Sequence, residues 1–343
     1  CSSDLPNRDF QLMSRVLEFE GNRHEFEKPM RIISEYDVPE DAWFFQQNSH
    51  PEWMPYSVLM EIALQPCGFI SANSGAMLIY PELDLHYRNL DGNGTLSKHI
   101  DLRGKTIQAE VELYSTVASG NTVIQKHRFL LKCDGLPFYK GDTVFGYFTD
   151  EALENQTGLD GGKAKLPWLD ENTNHDMKIY RLNDSNSRLE SGKPHLKLAG
   201  NQLNLLDEVH LSPSVGSHGK GYAYGKRIVD PKDWFFPCHF HQDPVMPGSL
   251  GVEAILQALQ VFCLDQKLGD SFSNPRFRPS LSQTRWKYRG QIIPTTGMMQ
   301  LELHVSKIEK QDEQLMLVAD ASLWRDELRI YEVQNISLVI EEA

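Results

Sequence analysis

The sequence predicts an α+β protein made of two copies of one domain. Each copy is expected to set one long helix against a mostly antiparallel sheet. A near-duplicated segment is the first reason. One copy reads Trp43-Phe44-Phe45, then Met54-Pro55, then Glu61-Ile62-Ala63-Leu64-Gln65; the other reads Trp234-Phe235-Phe236, Met246-Pro247 and Glu253-Ala254-Ile255-Leu256-Gln257. The tryptophans are 191 residues apart and the glutamates 192, a near-constant offset that marks duplication. The second reason is apolar spacing of helical period after each Met-Pro. The third is a set of alternating segments that follows each helix.

The elements follow in the same order twice. Leu250, Ala254, Gln257 and Ala258 share a helix face in one copy, as do Val58, Ile62, Gln65 and Pro66 in the other. Pro66 removes one backbone donor and is expected to limit its helix. Strands are expected at 107–115, 122–133 and 138–148 in the first copy, and at 298–306, 314–324 and 328–340 in the second. The alternation Leu301-Glu302-Leu303-His304-Val305 marks a sheet with one buried face. The division is then 1–150 for the first domain, 151–204 for a linker and 205–343 for the second domain. The linker is polar and turn-rich, with Gly158, Gly161-Gly162, Pro167 and Asp184-Ser185-Asn186-Ser187.

Composition bounds the function classes. The 343 residues suffice for two domains of about 150 each. A net charge of −13 argues against nucleic acid as a bulk partner. No apolar run of 18 residues is evident, and the longest candidate, 248–264, carries Glu253, so no membrane insertion is expected. Cys1, Cys67, Cys133, Cys238 and Cys263 are odd in number and lack CxxC spacing. They predict neither a disulfide framework nor structural zinc, and they suit a reducing, cytoplasmic setting. The chain opens on Cys1 and reads as a piece of a longer polypeptide.

The chemistry is expected at the start of the second helix. Gly248 allows close approach to backbone N–H groups that have no partner inside the helix and can donate to a developing oxyanion. Glu253 and Gln257 are four apart and share a face, as do Glu61 and Gln65. A carboxyl group on an apolar face is raised in pKa and fitted for proton donation. It can also be structural, satisfied by backbone N–H groups, the reading preferred for Glu253. His239 is a natural general base.

The run Trp234-Phe235-Phe236-x-Cys238-His239-Phe240-x-x-Asp243-Pro244-Val245-Met246-Pro247-Gly248-x-Leu250-Gly251 resembles the 3-hydroxyacyl-acyl-carrier-protein dehydratases of the hotdog fold, of the 3-hydroxydecanoyl type. The likeness extends through Arg285 to Pro294. Two fused copies resemble the dehydratase region of bacterial polyunsaturated fatty acid synthases. The resemblance implies a double hotdog, each long helix wrapped by its sheet, with the histidine of one half facing the acid of the other. It implies that His239 removes the C2 proton of a (3R)-hydroxyacyl thioester, Glu61 protonates the departing hydroxyl and Gly248 N–H holds the thioester oxygen. Val245 would orient the imidazole, and Gln65 would support the acid or its water. Cys238, beside His239, is a supporting residue whose side chain reads as small core packing, since neighbours on a strand point to opposite faces. Both copies carry Glu where the closest family carries Asp, which leaves isomerisation of the product open.

The mirror site would pair Glu253 and Gln257 with Asn48, or with Gln47 if the count runs back from Glu61. Neither amide is a base near neutral pH, His50 is misplaced, and Tyr56 replaces the glycine. One working and one degenerate site are therefore expected.

Arg285, Lys287 and Arg289 alternate and would share a strand face, either solvated or docking an acidic acyl carrier protein and its phosphopantetheine. Arg276 and Arg278 extend this basic run. Other synthase domains and a homodimer are further expected partners. His239-x-His241-x-Asp243 has a metal-like spacing but no other ligand cluster, so no metal is expected; an acid–base elimination needs no cofactor beyond the carrier's arm. A hotdog thioesterase using Glu61 to activate water, and a non-catalytic acyl-carrier-binding scaffold, remain open alternatives.

Overall fold

The structure, a computed structural model, describes residues 6–342 except 173, 184–188, 190, 191, 241 and 312. Asp184-Ser185-Asn186-Ser187 of the expected turn and His241 of the metal-like run lie outside the described residues.

The first half runs β1 (Arg15–Glu20), β2 (Met30–Asp37), α1 (Trp43–Gln47), α2 (Tyr56–Ser74), β3 (His86–Leu96), β4 (Thr106–Ser119), β5 (Thr122–Cys133) and β6 (Leu136–Phe148). Two short helices, α3 (Asp150–Glu154) and α4 (Trp168–Glu171), and strand β7 (Lys178–Arg181) follow. The second half runs β8 (Glu208–Ser212), β9 (Tyr222–Ile228), α5 (Gly248–Asp265), β10 (Pro275–Pro279), β11 (Gln283–Tyr288), β12 (Met298–Gln311), β13 (Gln314–Arg325) and β14 (Leu328–Glu342).

The long strands fold back on tight turns. Gly120-Asn121 and Asp134-Gly135 each place two residues at positive φ between paired strands, the twist a two-residue hairpin requires. The strand order is β1-β2-β4-β5-β6-β3-β11-β14-β13-β12-β9-β8-β7, with β10 on β14. The two halves meet where β3 pairs antiparallel with β11, Asn93 opposite Arg285. A single sheet thus crosses the boundary between the copies. Helix α2 packs on β2, β4 and β5, and α5 on β8, β9 and β12–β14, while the two helices touch one another.

Helix α2 continues eight residues beyond Pro66, to Ser74, so the proline does not limit it as expected. The helix is walled in by the sheet over nearly its whole length, and that packing outweighs one missing hydrogen bond. Tyr56–Ile79 is also the stretch, among the described residues, long and apolar enough to cross a bilayer, whereas apolar run length in the sequence points to 248–264. Most of it is buried inside the protein. The segment 151–204 is more than a tether. Its β7 adds an edge to β8, and Trp168 N–H donates to Glu302 on β12 at 2.6 Å.

Candidate active site

The repeat explains how each half is held. Trp43 Nε1 donates to the Asp9 carbonyl and Trp234 Nε1 to the Gln202 carbonyl, both at 3.0 Å. The indoles pack edge to face across the boundary, 5.1 Å between centroids. Gln65 accepts from Leu12 N–H at 2.8 Å, and Gln257 accepts from Leu205 N–H at 2.9 Å. These repeated residues therefore anchor the chain that enters each domain, a structural role shared by both copies.

The acids behave differently. Each reaches the first turn of the other half's helix. Glu61 accepts from the Ser249 hydroxyl at 2.7 Å and from Gln65 Nε2 at 3.3 Å. Glu253 accepts from the backbone N–H of Ser57 at 2.9 Å. Burial pushes both carboxyl groups above their ordinary pKa, with these hydrogen bonds opposing it. Glu61 also lines a cavity at the boundary between the halves.

His239 reaches that cavity from successive turns at 233–239, not from a strand. Its Nδ1 lies 2.9 Å from the Val245 carbonyl. A carbonyl only accepts, so Nδ1 carries the proton and Nε2 keeps its lone pair. Phe240 stacks on the ring at 3.9 Å. Enclosure by protein lowers the imidazole pKa to about 4, partly opposed by the Val245 bond, so the ring is neutral at pH 7. His239, Glu61, Gln65, Val245 and Gly248 line one cavity of about 340 Å³, whose apolar wall includes Leu64 and Phe145.

In the mirror position, Asn48 Nδ2 donates to the Trp53 carbonyl at 2.7 Å. Trp53 precedes Met54-Pro55 as Val245 precedes Met246-Pro247. Asn48 therefore repeats the orienting bond of His239 without supplying a basic nitrogen. Gln47 points elsewhere, bonded to Gln202 at 2.9 Å, which decides between the two counts. The buried Tyr56 stands where Gly248 does in the other copy, its hydroxyl 3.3 Å from that of Tyr139. The pocket holding Asn48 and Glu253 shrinks to about 30 Å³, room for about one water.

Residues 198–334 match the FabA-like domain family. This match falls largely within the second half. Over 320 residues the chain is 37% identical to one of the polyunsaturated fatty acid synthase subunits of Thraustochytrium sp., covering 90% of this chain. The chain spans 21% of that relative's length. Among solved structures, the dehydratase domain from the CurJ module of curacin polyketide synthase superposes with a TM-score of 0.52 at 12% identity, covering 96% of this chain and 97% of that one. A putative oleoyl thioesterase from Lactobacillus plantarum superposes with a TM-score of 0.50 at 6% identity, covering 91% and 96%. Both likenesses bear on the fold, which is a double hotdog.

The second half supplies His239, Val245 and Gly248; the first half supplies Glu61 and Gln65. Cys238 is not with them. It is buried in the core and does not line the cavity, because the turn sends its side chain away from that of His239. Its carbonyl accepts from Asn7 N–H at 2.8 Å, and its side chain packs as a small core residue away from the reacting groups. All four described cysteines are free thiols.

The basic run is also divided by the fold. Arg276 and Arg278 both pair with Glu341. Arg285 and Lys287 are exposed on β11, where Lys287 lies between Asp91 and Glu332 in register. Arg289 falls just past β11, pairs with Asp91 at 3.0 Å and lines the cavity. The sequence has no acid within this run; neighbouring strands bring acids beside it.

Three cavity-side residues carry no clear signal of their role in the local sequence. Arg88, on β3, clamps Asp243 with two bonds of 2.6 and 2.7 Å and so ties the His239 loop to the first half. Burial pushes the Asp243 carboxyl up, but His86 and Arg88 together hold it well below the usual carboxylate range. Asp243 is thus engaged by Arg88 and His86 of the protein itself. Ser249 binds Glu61, and its repeat partner Ser57 sits at the same 192-residue offset as the glutamates, a signal available once the duplication is noticed. Tyr288 ends β11 and faces inward.

Proposed function

We propose that the chain dehydrates (3R)-hydroxyacyl thioesters to trans-2-enoyl thioesters. The observation that carries this reading is a neutral imidazole and a pKa-raised carboxyl group, from opposite halves, on one cavity. His239 Nε2 takes the C2 proton and the electron pair forms the C2–C3 double bond. The C3–O bond breaks, and Glu61 gives its proton to the departing hydroxyl, which leaves as water. The thioester oxygen gains negative charge as C2 loses its proton, and the Gly248 N–H at the helix start would donate to it. Transfer of the His239 proton back to Glu61 resets the site. Atoms and electrons balance without a metal or redox group, so none is assigned.

The substrate would arrive on the phosphopantetheine of an acyl carrier protein within a larger synthase. Exposed Arg285 and Lys287, with Arg289 nearer the cavity, are the proposed docking cations. Four free, buried thiols suit a cytoplasmic setting. Incubation with a 3-hydroxyacyl pantetheine thioester tests the reading. Enoyl absorbance without thiol release is expected. Free thiol would indicate a thioesterase, and neither signal a binding scaffold.

A further inference from the structure

Tyr288 is only 4% exposed, and its hydroxyl has no hydrogen-bond partner in the structure. A buried phenol normally finds one, because leaving the O–H unsatisfied forfeits the hydrogen bond it made to water. The side chain lines the cavity that holds His239 and Glu61. Its ring also lies against the first residue of α5: a Cβ built on Gly248 would fall 2.6 Å from Tyr288 Cε2 and 3.0 Å from Cζ. The phenol is therefore beside the helix start whose N–H groups are free to meet a ligand.

The ring is held in place. Tyr331 packs on it at 4.2 Å, and β11 is fixed between β3 and β14. Glu61 is near enough to raise the phenol's pKa further, but its oxygens are bonded to Ser249 and Gln65. Burial is the main cause of that rise, and it keeps the O–H a donor across the working pH range. A rigid, buried donor without a protein partner, on a ring that lines the cavity, is complementary to an oxygen that arrives with the substrate.

We infer that the Tyr288 hydroxyl is a second donor to the substrate's thioester carbonyl oxygen, acting together with the Gly248 N–H. The identity of that oxygen rests on the dehydration reading. Charge on it grows as the C2 proton departs, so a preset donor is worth most at that moment. The degenerate site lacks this arrangement, since Tyr56 fills the place of the glycine.

Tyr288→Phe keeps the ring and removes the donor. Its folding is checked by circular dichroism and melting temperature against the parent. The binding test uses decanoyl pantetheine with a carbon-13 thioester carbonyl, which has no hydroxyl to eliminate. Difference infrared spectroscopy should place the carbonyl band lower in the parent protein than in Tyr288→Phe. Enoyl formation from the 3-hydroxyacyl thioester should fall about 100-fold in kcat, the usual loss for one oxyanion donor, with a smaller change in KM. The same carbonyl band in both proteins, no probe binding by the parent, or a kcat within about threefold of the parent overturns the inference. A parent that binds the probe but forms no enoyl refutes dehydration instead, and the infrared comparison then decides the role of Tyr288 alone.

Discussion

The two halves of the molecule differ at few of the positions that build a site. Both keep the tryptophan that ties down the entering chain, the glutamine that clamps it and the acid that reaches across to the opposite helix. Two substitutions separate them. Asn48 stands for His239 and repeats its carbonyl bond; Tyr56 stands for Gly248 and fills the space a ligand would need. Cavity volume falls from about 340 to about 30 Å³. The acids then diverge in use. Glu253 accepts a backbone N–H of the opposing helix, whereas Glu61 accepts a side-chain hydroxyl and faces open space. The comparison teaches that scaffold and site are separable: the bonds that hold the fold are duplicated, while the imidazole at this position and the space beside it occur once.

The largest test converts the second half into the first. His239→Asn should retain the bond to Val245, as Asn48 does to Trp53, and leave the melting temperature within about 2 °C. Enoyl formation should fall by about 10²–10⁴-fold, the usual worth of a general base. Activity within tenfold of the parent would end the role given to His239.

Replacing the two acids separately sharpens the comparison. Glu61→Gln should lower kcat by about 10²–10³-fold, in the range for a general acid. Glu253→Gln should change kcat by less than about threefold, since its bond to Ser57 N–H can be kept by an amide oxygen. The reverse order would move the working site to the mirror position.

The gentlest test is pH. His239 must be neutral, and its conjugate acid ionises at about 4. Glu61 must be protonated, and burial raises its pKa above the ordinary carboxyl value. The profile of kcat/KM should therefore rise as pH climbs through about 4 and fall as Glu61 ionises, by about tenfold per unit on each limb. A profile with no falling limb at high pH would remove Glu61 as the acid.

Much of this is legible in the chain. The constant offset between Trp43 and Trp234 and between Glu61 and Glu253 marks the duplication, and strand alternation marks β4–β6 and β12–β14 to within a few residues. The helix beyond Pro66 is not, because local propensity carries no information about a sheet that wraps the helix later. Tyr288, Arg88 and the acids beside Lys287 are likewise hidden. Their partners lie on other strands, and only sheet register brings them together.

The sequence by itself determined that there are two copies, that one lacks a base and that one has a glycine where the other has a tyrosine. These are properties of residue type and spacing, which survive in a one-dimensional string. The pairing of His239 with Glu61 is an expectation from the family resemblance; only the tertiary structure decided that the two share a cavity, that Asn48 rather than Gln47 is the histidine's counterpart, and that Tyr288 lies beside Gly248. Those facts depend on two helices crossing from different halves, and a distance between residues nearly 200 positions apart is set by packing, not by the order of the chain.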